Sequence, residues 1–274
     1  SYNIYLVGSH KTKFKVSNKE IHKLITRKIE TLSIDKQHPV IPPRIYYELL
    51  DQLNKFFNNF KAIENNFLSF LSNIIKDDTF SRSSSQKIKL GGHGLYSKAS
   101  DISVESVNFG LDEYFKSYGI MNIPSLISFI VRLQHACQLR IFIYTGMRQG
   151  EVINLNIGCS QVERTETGSI YKIYGETSKL VGQKKSTSWV ASIEALEAIQ
   201  VAEKISTIIR KKVKIPLDSI PLFLSTGYLF TSWNPTARAA EKIVLKSKIN
   251  IKSQEFYNLI NKNNFIIKEE DIEF

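Results

Sequence analysis

Apolar residues recur at helical spacing through Ile45, Leu49, Leu53, Phe56 and Phe57, and again from Phe60 to Ile75. The spacing predicts two packed helices, entered from Pro42 and Pro43. Leu111 to Tyr118 fits a short helix. A stronger run opens at Pro124-Ser125 and carries Leu126, Ile127, Ile130, Val131, Leu133, Ala136, Cys137, Leu139, Arg140 and Ile141. It is apolar nearly all round, which places it deep in a core. Thr145-Gly146 breaks it, and a short helix follows through Leu155. The period then changes from helical to two. Ser169 to Tyr174 alternates as a strand, Gly175 to Lys185 reads as a basic turn, and Thr187 to Ala191 reads as the returning strand. Ser192 is an N-cap candidate for a helix whose face is Ile193, Leu196, Ile199, Ala202, Ile205 and Ile209. The sum is a mainly α fold with a small antiparallel β-sheet, of the α+β class.

Other stretches carry weaker patterns. Residues 1–38 are polar and basic, with Ser17 and Glu20 in capping-box spacing and then Pro39 to Pro43, which no helix crosses. They read as a linker or the tail of a domain lying upstream. The Ser1 start is expected for a piece cut from a longer protein. Residues 39–274 form the main body. Within it, 77–106 is rich in Asp, Ser, Gly and Lys and reads as a long surface loop or insertion. Pro216 to Leu229 reads as loop with a short apolar segment, Ser253 to Ile260 as a helix, and Ile267 to Phe274 as a helix start. No repeat of solenoid length occurs.

Charge sharpens the picture. Lys and Arg number 37 against 26 Asp and Glu, a net charge of +11 over 274 residues, and the pI is about 9.4. Such an excess favours a polyanionic partner, a nucleic acid or an acidic membrane surface. No run of about 18 apolar residues lacks a charge, so no membrane-spanning helix is expected. The N-terminus has no signal-peptide pattern. Cys137 and Cys159 lack metal-like spacing and lie in apolar stretches, as reduced core thiols do, which suits a cytoplasmic setting.

The chemistry concentrates in residues 145–155, Thr-Gly-Met-Arg-Gln-Gly-Glu-Val-Ile-Asn-Leu. A buried helix ends, Gly146 permits a sharp turn, and Arg148 falls in the first turn of the next helix. That combination aims a planar fork of donors and free backbone N–H groups at one point, an arrangement suited to a phosphate. Glu151, three residues on, can orient Arg148, while Val152 and Leu155 anchor the helix. The plain alternative, a helix-terminal surface arginine with Glu151 as its exposed partner, is open at this stage.

The segment resembles the first active-site box of the tyrosine recombinases (the phage-integrase family), T-G-[apolar]-R-x-x-E-[apolar]-x-x-L. Thr145, Gly146, Arg148, Glu151, Val152 and Leu155 match it. In that family a β-hairpin bearing a catalytic lysine follows the arginine helix, and a further helix follows the hairpin. Here the hairpin arrives at 169–191 and the helix from Ser192. The resemblance implies that Arg148 and Lys179 are catalytic and contact a DNA phosphate, with Lys184 and Lys185 as alternatives for the lysine and Glu151 in support. It covers roughly residues 40–274, with Gln134-His-Ala-Cys137 a weaker point of likeness.

The family's second box is H-x-x-R followed by a nucleophilic tyrosine. His10, His22, His38, His93 and His135 are followed three residues later by Lys13, Ile25, Ile41, Tyr96 and Gln138, so none forms it. After Lys179 only Tyr228 and Tyr257 remain, and neither follows a second box. The expectation is therefore an incomplete recombinase catalytic domain, truncated before the second box, with 1–38 as the tail of an upstream DNA-binding domain. The full-length protein would cut and rejoin double-stranded DNA through a 3′-phosphotyrosyl intermediate, self-associating as a tetramer on DNA. The piece itself would be inactive, cytoplasmic and DNA-associated, with no metal, no small-molecule cofactor and no membrane. The alternative is a non-catalytic DNA-binding protein on an integrase-like scaffold.

Overall fold

The computed structural model describes residues 41–77, 79–83, 101–166, 168–177, 185–213, 220–226, 268 and 271. The elements in chain order are α1 (Pro43–Lys76), α2 (Ile102–Asn108), α3 (Asp112–Ser117), α4 (Ile123–Thr145), α5 (Gln149–Ile153), β1 (Ser160–Thr165), β2 (Gly168–Thr177), β3 (Lys185–Ala191) and α6 (Ile193–Val213). The mainly helical fold with one small antiparallel sheet is thus observed. The chain divides into two units, one of residues 1–46 with 267–274 and one of residues 47–266. In the first, Arg44 Nε donates to Asp271 Oδ1 at 2.9 Å.

Two helices were expected between Ile45 and Ile75, and a single helix of 34 residues is found. At 1.5 Å per residue it is about 50 Å long. The apparent gap at Asn58-Asn59 does not interrupt it, because Phe56, Phe57, Phe60, Glu64, Phe67, Phe70, Leu71 and Ile74 keep one continuous buried stripe. Asparagine is only a weak helix breaker when its neighbours are packed. The expected 77–106 loop ends sooner than predicted. Asp101 caps α2 by accepting from Ser103 N at 3.0 Å, so the chain is helical from Ile102.

The core forms where α1, α3 and α4 meet. Phe67 packs edge-on against Phe60, Phe115 and Phe129, and Phe70 against Phe80, Phe109 and Phe115, with ring centroids 5.3–6.3 Å apart. α6 packs along α4 and contributes Ala195, Ala198, Ile199, Ala202, Ile205 and Ile209. Lys204 Nζ reaches the buried Glu64 carboxylate on α1 at 2.9 Å.

α4 begins in a reciprocal cap: Ser125 N donates to Asn122 Oδ1, and Asn122 N to Ser125 Oγ, both at 3.0 Å. Its apolar character is less complete than the pattern predicts, because Arg132, Gln134, His135, Gln138 and Arg140 are buried along with the apolar residues. Gln134 Nε2 donates to Leu224 O at 3.0 Å. The Arg140 guanidinium lies 4.3 Å over the Phe57 ring, a cation–π contact that lets a cation sit in the core. By length and hydropathy α4 is able to cross a bilayer, yet two-thirds of its most apolar stretch is buried inside the protein. Cys137 and Cys159 are free and buried, and burial pushes the Cys159 thiol up to about 12.

The sheet has order β1-β2-β3, all antiparallel. The sequence pattern predicted only the β2–β3 hairpin. β1, with its exposed Gln161, Val162 and Arg164, was missed because just one strand neighbour orders it and no buried alternation marks it.

Candidate nucleic-acid interface

Four consecutive local events build the turn that carries Arg148. α4 ends at Thr145, whose hydroxyl donates back to Ile141 O and accepts from Met147 N at 3.2 Å. Gly146 then takes φ 67, the left-handed region that glycine enters without strain. Met147 is buried and pins the turn. Arg148 follows with φ −76 and ψ 153, so it stands as the N-cap just before α5 and not inside its first turn, as the sequence suggested. α5 is only five residues long, too short for a sizeable macrodipole, so the positive charge of this turn comes from Arg148 itself.

Glu151 performs a different task from the one expected. One carboxylate oxygen accepts from the Arg148 backbone N–H at 2.7 Å, and the other accepts from the Thr177 hydroxyl at 2.6 Å. Because an arginine side chain has no acceptor, the cap is one-sided. Glu151 therefore orients the arginine through its main chain. The Arg148 side chain is exposed, and among the described residues its guanidinium meets no carboxylate.

Thr177 ends β2, so the Glu151 bond ties the arginine turn to the hairpin. The sheet also comes close at Gly175, where an added Cβ would lie 3.2 Å from Leu155 Cδ2 and 3.3 Å from Trp189 Cζ3. Glycine permits that approach. Leu155 is buried and its carbonyl accepts from Leu222 N at 2.7 Å, which fixes the far end of the motif. Positions 173, 175 and 177 share a face by the period of two, and this is the face turned to the arginine turn.

The register pairs Thr177 with Lys185. Paired residues in an antiparallel ladder project to the same side, so Lys185, exposed at the start of β3, emerges on the face of Thr177. Of the three candidate lysines, Lys185 thus shares the face on which Thr177 bonds Glu151, while Lys179 and Lys184 lie outside the described residues. The opposite face holds Lys172 Nζ and Glu163 Oε2 at 2.7 Å. An open depression is lined by Tyr174, Gly175 and Glu176 of β2 and Ser186, Thr187 and Ser188 of β3.

Sequence reasoning did not single out Thr177. It lies three residues past the alternating stretch, and a strand-terminal threonine carries no signal of its own until the partner carboxylate is known. Among the described residues no three His, Cys, Asp or Glu side chains cluster as metal ligands do. No family model matches this chain, and no curated protein or solved structure matches it.

Proposed function

We propose that this chain belongs to a site-specific DNA recombinase of the tyrosine type and holds a phosphate of double-stranded DNA between Arg148 and a hairpin lysine. Arg148 supplies a planar donor fork to the phosphoryl oxygens. The lysine is Lys179, with Lys185 or Lys184 as alternatives, and it would protonate the 5′-hydroxyl leaving group in the complete site. Glu151 positions the arginine turn. The full-length protein would attack with a tyrosine, work as a tetramer on DNA and reside in the cytoplasm. This polypeptide, without the second arginine box, neither cleaves nor joins DNA alone.

One observation carries the reading: an exposed guanidinium in T-G-[apolar]-R-x-x-E spacing, whose neighbouring carboxylate is occupied by a main-chain N–H and a hairpin hydroxyl. A surface salt bridge with Glu151 would have neutralised it, and that plain alternative loses its partner. The net charge of +11 supports an electrostatic grip.

The test is anisotropy titration of a labelled duplex. Binding should weaken steeply between roughly 50 and 200 mM salt. Arg148→Ala should reduce affinity about tenfold, the size of one charge-assisted contact, and lower the salt slope by about 1. Unchanged affinity in Arg148→Ala, or covalent protein–DNA product from this chain alone on a suicide substrate, overturns the proposal.

A further inference from the structure

The Glu151 carboxylate is shared between two elements that are far apart in the chain. Its Oε2 takes the Arg148 N–H at 2.7 Å and its Oε1 takes the Thr177 hydroxyl at 2.6 Å. Thr177 is the last residue of β2 and the register partner of Lys185. One carboxylate therefore joins the turn that presents a guanidinium to the hairpin position that presents an ammonium.

We propose that Thr177 is a positioning residue: through its hydroxyl bond to Glu151 it holds the Lys185 end of the hairpin in register with Arg148, so that both cations meet one DNA backbone as a unit. This rests on the DNA-phosphate reading above. The physical reason is pre-organisation. A lysine at the end of a two-stranded ladder contributes to binding only after its strand end is ordered, and that ordering opposes binding unless the free protein already supplies it. Close packing of Gly175 against Leu155 and Trp189 fixes the middle of the hairpin. Two residues further on, the described contact that ties β2 to the arginine turn is the Thr177–Glu151 bond. Valine has the same shape as threonine and suits a strand, so Thr177→Val removes the hydroxyl alone.

The experiment is a double-substitution cycle, read as affinity for a labelled duplex at fixed low salt. With Thr177 present, Lys185→Ala should weaken binding about tenfold. With Thr177→Val, the same Lys185→Ala change should weaken it less than about twofold, because the ammonium is no longer held in place. Thr177→Ser retains the hydroxyl and should restore the full Lys185 effect. An equal Lys185 effect in the Thr177 and Thr177→Val backgrounds overturns the latch while leaving the DNA reading intact. If Arg148→Ala does not alter affinity with Thr177 present, the DNA reading itself fails. A Thr177→Val chain that loses its cooperative melt also overturns the latch, since a local tie leaves the helical core standing.

Discussion

The aromatic junction of α1, α3 and α4 and the arginine–hairpin region are held together by different physics. At the junction, Phe57, Phe60, Phe67, Phe70, Phe115 and Phe129 are fully or almost fully buried, and Phe67, Phe70, Phe115 and Phe129 each meet more than one other ring. Such packing is non-directional and redundant, and it tolerates small displacements. At the arginine turn, most side chains of β1 to β3 are partly or fully exposed. Beyond the strand ladders and the buried anchors Met147, Leu155 and Ile173, the geometry there rests on a few directional bonds, chiefly those of Glu151, and on one glycine contact. The first region supplies stability. The second supplies geometry, and its loss would be felt in binding before it is felt in folding.

The largest effect should come from breaking the junction. Phe67→Ala removes a fully buried ring and should destabilise the protein by about 3–5 kcal/mol, measured by chemical denaturation. A loss under about 1 kcal/mol would mean that the junction is not the core. The arginine–hairpin side is next. Gly175→Ala places a methyl at 3.2–3.3 Å from Leu155 and Trp189 and should cost about 1 kcal/mol. The displacement should show as faster hydrogen exchange at Thr177 and Arg148, with the α1 and α4 amides unchanged. Uniform acceleration across both regions would erase the contrast between them.

A smaller effect tests the polar tie within the helical region. Burial raises the Glu64 carboxyl, but hydrogen bonds and charge from Lys204 and Lys61 outweigh it and hold the group below its usual 4.5. Its stabilisation is therefore present above the unfolded value and is lost as pH falls through the lower folded one. Both lysines are partly exposed, at 36% and 47%, so the contribution is screened. Glu64→Gln should be less stable by about 1 kcal/mol or less at neutral pH, with the gap in melting temperature closing as the pH falls below the ordinary carboxylate range. A gap independent of pH would contradict this. The smallest effect belongs to the outer sheet face. Lys172→Ala breaks a largely solvated pair with Glu163 and should leave the thermal melt unchanged, because exposed ion pairs contribute little.

The amino-acid sequence by itself determined where α3 to α6 and the β2–β3 hairpin lie, because period and punctuation are local. Pro124, Gly146 and the alternation from Ser169 mark boundaries that the structure keeps within a few residues. It also marked Arg148, since Thr145, Gly146, Glu151 and Leu155 form a pattern within eleven positions. What it left undetermined depends on contacts between distant positions. The two predicted helices before Lys76 are one, because Phe56 finds a partner on α4 and Phe67 finds partners on both α3 and α4. β1 exists because β2 pairs with it. Glu151 turns from the guanidinium to Thr177, 26 residues away, and a hydrogen bond across that separation leaves no trace in either residue's neighbours. Tertiary structure alone chose the carboxylate's second partner, because a directional bond needs both groups at one place, and only the folded chain brings them there.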